Sequence, residues 1–188
     1  MAEMPNPSQS TLLTLEQYMR IAAETVEYVI EKMTVGASNK ISDVFSSLGG
    51  SYICVPAVRN TKVNLPKEGH TPRFITNAAH KAEAVGCGNC GEQAAIAYYH
   101  LVHRLSVRPV DYMYRTNADH AFVVLGRRQA SSVENVADWG PNAVICDPWH
   151  EAAYPAAEVG EKMYRGGWEA ISGLRFAPGL VSRAASAQ

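Results

Sequence analysis

The sequence lacks any imbalance of charge. Its 188 residues hold 17 lysines and arginines against 18 aspartates and glutamates, which gives a formal net charge of -1 at pH 7. No long basic run interrupts this balance, so the chain has no obvious electrostatic attraction to nucleic acid or to anionic lipid. We therefore expect no nucleic-acid partner.

Long apolar runs are missing as well. No uninterrupted hydrophobic stretch approaches the ~20 residues that cross a bilayer, and the first residues carry no basic segment of the kind that opens a secretory signal. The sequence predicts no membrane partner and no Sec-type signal peptide.

Cysteine is scarce, with only Cys54, Cys87, Cys90 and Cys146. So few cysteines cannot staple a chain of this length, and we expect free thiols in a reducing compartment. What the chain does have is 47% hydrophobic and 19% charged residues, which is enough for a core of its own. We expect one domain over residues 11–177, between loose tails at residues 1–10 and 178–188.

The first half of this domain has mainly helical periodicity. Thr14 and Gln17 resemble a capping box that opens a helix ending before Gly36, with one apolar face formed by Tyr18, Ala22, Val26, Val29 and Met33. A second helix follows Asn39 as its cap, with Ile41, Val44, Phe45 and Leu48 directed inward. Residues 51–55 are predicted to form a strand and residues 56–72 a loop.

The second half changes from helix to strand. Residues 72–85 and 91–105 have helical spacing, and the glycine-dense residues 86–91 separate them. Short β-prone runs follow at residues 110–115, 121–125 and 143–146. Helices followed by an antiparallel sheet predict an α+β fold.

Cys90 has the surroundings of a reactive thiol. The positive end of a helix dipole lowers the pKa of a cysteine because it favours the thiolate. Asn89 is a good cap residue, and Glu92 lies three positions further on, as in a capping box. The sequence therefore predicts that Cys90 is the first residue of a helix.

A base and its orienting acceptor are predicted on two strands. His120 begins the apolar run that ends at Leu125, and Asp147 ends the strand before Pro148. If these strands pair antiparallel, the first residue of one lies opposite the last residue of the other, with Cβ atoms ~5 Å apart. His120 and Asp147 would then be in contact.

The segments G-N-C-G-E-Q-A, D-H-A-F-V-V and C-D-P-W, in this order, resemble the papain-like and transglutaminase-like thiol enzymes, particularly their small bacterial effector and toxin members. The resemblance covers about residues 86–149. It implies Cys90 as nucleophile, His120 as general base and then acid, and Asp147 as the group that holds the imidazole tautomer. It also implies N-terminal helices, one of which begins with the cysteine, packed on a small antiparallel sheet.

One departure from that pattern concerns the oxyanion hole. Papain-type proteases place a glutamine six residues before the cysteine, where this chain has Ala84. This favours side-chain amide chemistry over peptide cleavage. The backbone N–H of Cys90 can serve as one oxyanion donor, and Asn89, Asn77 and a backbone amide are alternatives for the second. Trp149, two positions after Asp147, is expected to border a substrate cleft.

Other interpretations of the same residues remain open. His150 and Asp119 are a rival base and a rival orienter. Cys87 and Cys90 form a C-x-x-C pair that fits a redox protein, or a zinc site together with His100 and His103. In a continuous helix those histidines would lie ~15 and ~20 Å from Cys90, too far to share one ion. Trp139 and Trp168 are interpreted as packing residues.

The sequence thus predicts an enzyme that transfers acyl groups from amides of a protein substrate through a thioester. A glutamine or asparagine deamidase, a transglutaminase and a papain-like protease are alternatives, as is a binding module without turnover. We expect no cofactor and no metal. An effector or toxin of this kind would reside in the bacterial cytoplasm before delivery into a target cell, with an immunity protein or a chaperone as a further partner.

Overall fold

The computed structural model describes residues 12–60, 72–115, 120–133 and 135–159. Helix α1 spans Leu15–Lys32. The backbone N–H of Gln17 donates to the Thr14 hydroxyl at 3.3 Å, and the Gln17 side chain accepts from the Thr14 N–H at 2.9 Å. This capping box and the buried face at Tyr18, Ala22, Val26 and Val29 confirm the first predicted helix.

The following segment differs from the prediction. Helix α2 spans Ile41–Ser46 and is preceded by Lys40, not Asn39, as its cap. Ile41 and Phe45 are each 77% exposed and Leu48 is 95% exposed, so the expected inward orientation is wrong for these three residues, whereas Val44 is half-buried. A helix of six residues has fewer than two turns, and its apolar spacing alone cannot determine which face meets the core.

Helix α3 spans Gly50–Asn60 where a strand and the start of a loop were predicted. The strand at residues 51–55 is therefore wrong. Val55 and Val58 are buried and form a small core cluster with Cys87. This tertiary packing outweighs the β-propensity of the segment. The remaining loop residues, 61–71, lie outside the described residues, as do Asp119, Trp168 and both predicted tails.

Two further helices agree with their predictions. Helix α4 spans Pro72–Val85, and helix α5 spans Cys90–Tyr99 and continues into a π-helical turn over His100–Arg104. Of the helices in the described ranges, none combines the length and the apolar character that a bilayer crossing demands.

The sheet has four antiparallel strands in the order β1-β2-β3-β4. Strands β1 and β2 span Val110–Arg115 and His120–Leu125, and β3 and β4 span Val144–Asp147 and Ala152–Pro155. The antiparallel pairing of β2 with β3 was predicted and is confirmed. Strand β4 was not predicted. In the ranges that the structure describes, five α-helices and this sheet confirm the α+β class.

The two faces of the sheet are covered differently. Ala121, Val123 and Leu125 belong to the main core, which includes the buried sides of α1, α4 and α5. Phe122 and Val124 belong to a smaller core around Trp139. All six positions of β2 are buried, so this strand lies at the centre of the molecule.

Candidate functional site

Cys90 is the first residue of α5, as predicted. Asn89 is in an extended conformation, and its N–H donates to the Glu92 carboxylate at 2.9 Å, which is the glutamate half of a capping box. The Cys90 thiol is not in a disulfide and its residue is 6% exposed. Its sulfur thus lies where the helix dipole favours the thiolate.

The glycines before Cys90 allow two backbone segments to meet. Gly36, with φ of 85°, accepts from the Gly88 N–H at 3.3 Å and donates to the Gly86 carbonyl at 3.2 Å. A Cβ at Gly88 would lie 2.4 Å from the Cβ of Glu92. Only glycine fits there while the capping glutamate keeps its position.

A disulfide joins Cys54 of α3 to Cys87, whose Cα atoms are 6.1 Å apart. The expectation of four free thiols is therefore wrong, and of the two cysteines in the C-x-x-C pair only Cys90 has a thiol. Cysteine count alone could not reveal the pairing, because it depends on α3 being a helix that packs its inner face on Cys87. Because its sulfur is in this disulfide, Cys87 is unavailable as a zinc ligand.

His120 and Asp147 are in contact across β2 and β3. The distance from His120 Nε2 to Asp147 Oδ2 is 2.7 Å, and both side chains are almost completely buried. The register differs from the predicted one, because Cys146 pairs with Val123, which places Asp147 level with Phe122. His120 reaches the carboxylate diagonally, on the same face of the sheet.

Asp147 has a second imidazole partner. His150 Nδ1 lies 2.7 Å from Oδ2, and the His150 N–H donates to Oδ1 at 3.3 Å. Burial alone would raise the pKa of Asp147. The hydrogen bonds from His120 and His150 outweigh it, and with their charge when protonated they lower this pKa from 3.8 to about 2. The carboxylate is therefore ionised, and each imidazole donates to it.

Trp149 lies beside both imidazoles. Its ring is in edge contact with His120 at 5.7 Å between centroids and with His150 at 4.8 Å. Its indole N–H donates to Asn39 Oδ1 at 2.9 Å. Trp149 thus lies next to His120, and a substrate cleft at this position stays a prediction.

Residues 38 and 39 connect the two halves of the site. The Ser38 N–H and hydroxyl donate to Asn89 Oδ1 at 2.9 and 3.1 Å, while Asn39 accepts from Trp149. Sequence reasoning assigned Asn39 to the cap of α2 and missed this role. No local pattern could have shown it, because the partners are 51 and 110 residues away.

Tyr112 connects the first turn of α5 to the sheet. Its hydroxyl donates to the carbonyl of Gly91 at 3.2 Å, and it pairs with Val123, three residues after His120. Burial raises the pKa of Tyr112, and Cys90 and Glu92, when ionised, raise it further. Contact between the Cys90 sulfur and the His120 ring stays a prediction.

A polar cavity of about 220 Å³ lies next to these elements. Gln93, one helical turn after Cys90, and Pro148, next to Asp147, both line it. Charged residues of both signs line it too, including the ion pair of Lys40 with Glu151. Asn77, one of the predicted oxyanion donors, lines a separate pocket with Glu92.

One group of side chains among the described residues could bind a metal ion. Within the described residues, the His, Cys, Asp and Glu side chains that come close enough together to bind one ion are His120, Asp147 and His150. The zinc interpretation with Cys90, His100 and His103 has no such grouping among these residues.

No protein-family model matches the chain, and no curated protein matches it.

Proposed function

We propose that this protein is a papain-like thiol enzyme that transfers acyl groups from amides through Cys90. The observation that carries the proposal is the buried hydrogen bond from His120 to Asp147. Residues 38 and 39 link Trp149, which contacts the His120 ring, to Asn89, the residue before Cys90. A nucleophile at a helix N-terminus, a base and an acceptor that orients the base are the three parts that such chemistry requires.

The roles follow from which atom each group offers. Asp147 accepts from Nε2 of His120, which leaves Nδ1 to exchange a proton with the Cys90 thiol. The thiolate adds to the amide carbonyl, and the imidazolium then gives its proton to the departing nitrogen. Ammonia or an amine leaves, and the acyl group remains on sulfur as a thioester. Water or a second amine resolves the thioester while His120 accepts its proton.

Two features of the α5 end support this sequence of steps. The helix dipole stabilises the thiolate, and the Cys90 backbone N–H can donate to the oxyanion that forms on the carbonyl oxygen. The adjacent cavity, lined by Gln93 and Pro148, has room for a small polar side chain. Its lining residues do not include Cys90, His120 or Asp147, and we assign it to the part of the substrate next to the reacting amide, the side chain of a protein glutamine or asparagine.

The departure at Ala84 also favours this substrate over a peptide bond, since the glutamine of papain-type proteases is missing. The proposal is therefore a deamidase or transglutaminase of a bacterial effector or toxin that acts on a protein of the target cell. A papain-like protease is the alternative that the same residues would serve.

The test is intact-mass analysis of candidate target proteins after incubation with wild type or Cys90→Ala. Deamidation exchanges an amide NH₂ for OH, transamidation leaves an adduct of the added amine, and proteolysis leaves fragments. The change is expected with wild type and not with Cys90→Ala. We expect His120→Ala to abolish turnover and Asp147→Ala to reduce it less. Substantial turnover by His120→Ala would remove the assigned base.

A further inference from the structure

His150 has no assigned part in the thiol chemistry, yet it completes a metal-ligand set. His120 Nε2, Asp147 Oδ2 and His150 Nδ1 all lie within 4.8 Å of one another. They come from β2, from the end of β3 and from the turn that follows it. Two imidazole nitrogens and one carboxylate oxygen are a donor set that zinc uses in proteins, with the fourth position open.

The spacing is close to what a tetrahedral ion needs. With bonds of ~2.0 to 2.1 Å, neighbouring ligand atoms around zinc lie ~3.3 Å apart. Both nitrogens are now 2.7 Å from Oδ2. A shift of ~0.6 Å in each distance, with the two rings drawn together, would meet this geometry. The His150 side chain is 30% exposed and lies in a turn, so it can supply most of the movement.

The charges also suit a cation. Asp147 is fully buried and offers a carboxylate oxygen, and its two partners are imidazoles, which ligate through a ring nitrogen when neutral. Lys40, the nearby positive side chain, is already paired with Glu151. A divalent ion at this position would therefore be held by one carboxylate oxygen and two imidazole nitrogens.

We propose that His120, Asp147 and His150 bind a Zn²⁺ ion and that the bound ion inhibits the enzyme. Binding places the ion on Nε2 of His120, in place of a proton that moves to Nδ1 or, from a charged ring, to solvent. An imidazole that carries its proton on Nδ1 cannot take the proton of Cys90. Binding stands on the three ligand atoms alone, and only the inhibition rests on the proposed function.

Binding is tested by titrating Zn²⁺ into the full chain in a calorimeter, with Cys90→Ala as background so that a reactive thiol cannot contribute. We expect one ion per chain. In this background, His150→Asn can still donate to Asp147 but loses a ligand, and affinity should fall about 100-fold. His103→Ala removes an exposed histidine elsewhere and should leave affinity unchanged.

Co²⁺ is the spectroscopic probe, added to chains that keep Cys90, namely the wild type and His150→Asn. Nitrogen and oxygen ligands in a tetrahedral site give visible absorption without the near-ultraviolet band of a thiolate ligand. A thiolate band, the absence of binding, or unchanged affinity in His150→Asn would each overturn the proposal. Should His150→Asn fold poorly by circular dichroism, His150→Gln replaces it under the same expectation.

Inhibition is measured separately, as the rate at which iodoacetamide alkylates Cys90 in the wild-type chain with Zn²⁺ or with EDTA. We expect zinc to slow alkylation at least tenfold, and His150→Asn to remove this effect. One bound ion without any slowing would overturn the inhibition and leave the site. Slow alkylation even in EDTA would instead contradict the proposed function, whatever the calorimeter shows.

Discussion

Replacing Asp147 by asparagine should remove a specific acid dependence of folding stability. The carboxylate is fully buried and accepts hydrogen bonds from two imidazoles. Its pKa falls from 3.8 to about 2 in the folded protein. Each tenfold change in proton affinity corresponds to about 1.4 kcal/mol, so this difference contributes about 2 kcal/mol.

The sign follows from which state binds the proton more tightly. Since the folded pKa lies below the unfolded one, the contribution is fully present above about pH 4 and is lost as the pH falls through about 2. Asp147→Asn has no proton to bind. Its free energy of unfolding should therefore fall about 2 kcal/mol less than that of wild type over this range.

The assay is urea denaturation at several pH values, in EDTA so that no metal contributes. Other carboxylates titrate in both proteins and cancel in the difference between the two curves. Asp138→Asn, which removes an exposed carboxylate, serves as the matched control. Parallel curves for wild type and Asp147→Asn would refute the argument, because they would mean that the two histidines give Asp147 no preference for its charged form.

Three further predictions concern stability, measured by the same denaturation. Arg127 and Asp111 form a buried ion pair at 2.6 Å. Asp111→Ala leaves the arginine charge buried without its partner and should lower the free energy of unfolding by about 3 to 5 kcal/mol, whereas the double variant Asp111→Leu/Arg127→Met removes both charges and should lower it less. Equal losses in the two variants would contradict this. The Cys54→Ala/Cys87→Ala double variant opens a loop of 33 residues and should lose about 3 to 4 kcal/mol; a loss below ~1 kcal/mol would exclude a stabilising crosslink. Glu92→Ala should lower the free energy of unfolding by about 1 kcal/mol more than Arg59→Ala does, because both variants remove the exposed ion pair but only Glu92 also caps α5. Equal losses would show that the cap contributes nothing.

Local signals in the sequence predicted most of the elements. Thr14 with Gln17 marked the start of α1, and Asn89 with Glu92 marked the start of α5, because capping involves residues only three positions apart. The strands β1, β2 and β3 followed from β-prone runs of four to six residues. Strand β4 has little such signal, and its pairing with β3 gives it its conformation.

Long-range contacts account for what the sequence did not predict. The helical state of residues 50–60 depends on packing against Cys87, and the disulfide depends on that helix. His150 was expected to compete with His120 for the role of base, whereas in the structure the two share Asp147. Sharing requires the chain to turn directly after β3, and the turn closes on Asp147 itself through the His150 N–H.

The central claim is that His120 makes the Cys90 thiol reactive, and alkylation of Cys90 tests it most directly. Iodoacetamide labelling at about pH 6 in EDTA, followed by mass mapping, separates Cys90 from Cys146, which is fully buried and serves as the internal reference. The account predicts that wild type labels Cys90 at least tenfold faster than His120→Ala does. Equal rates in the two proteins would contradict it.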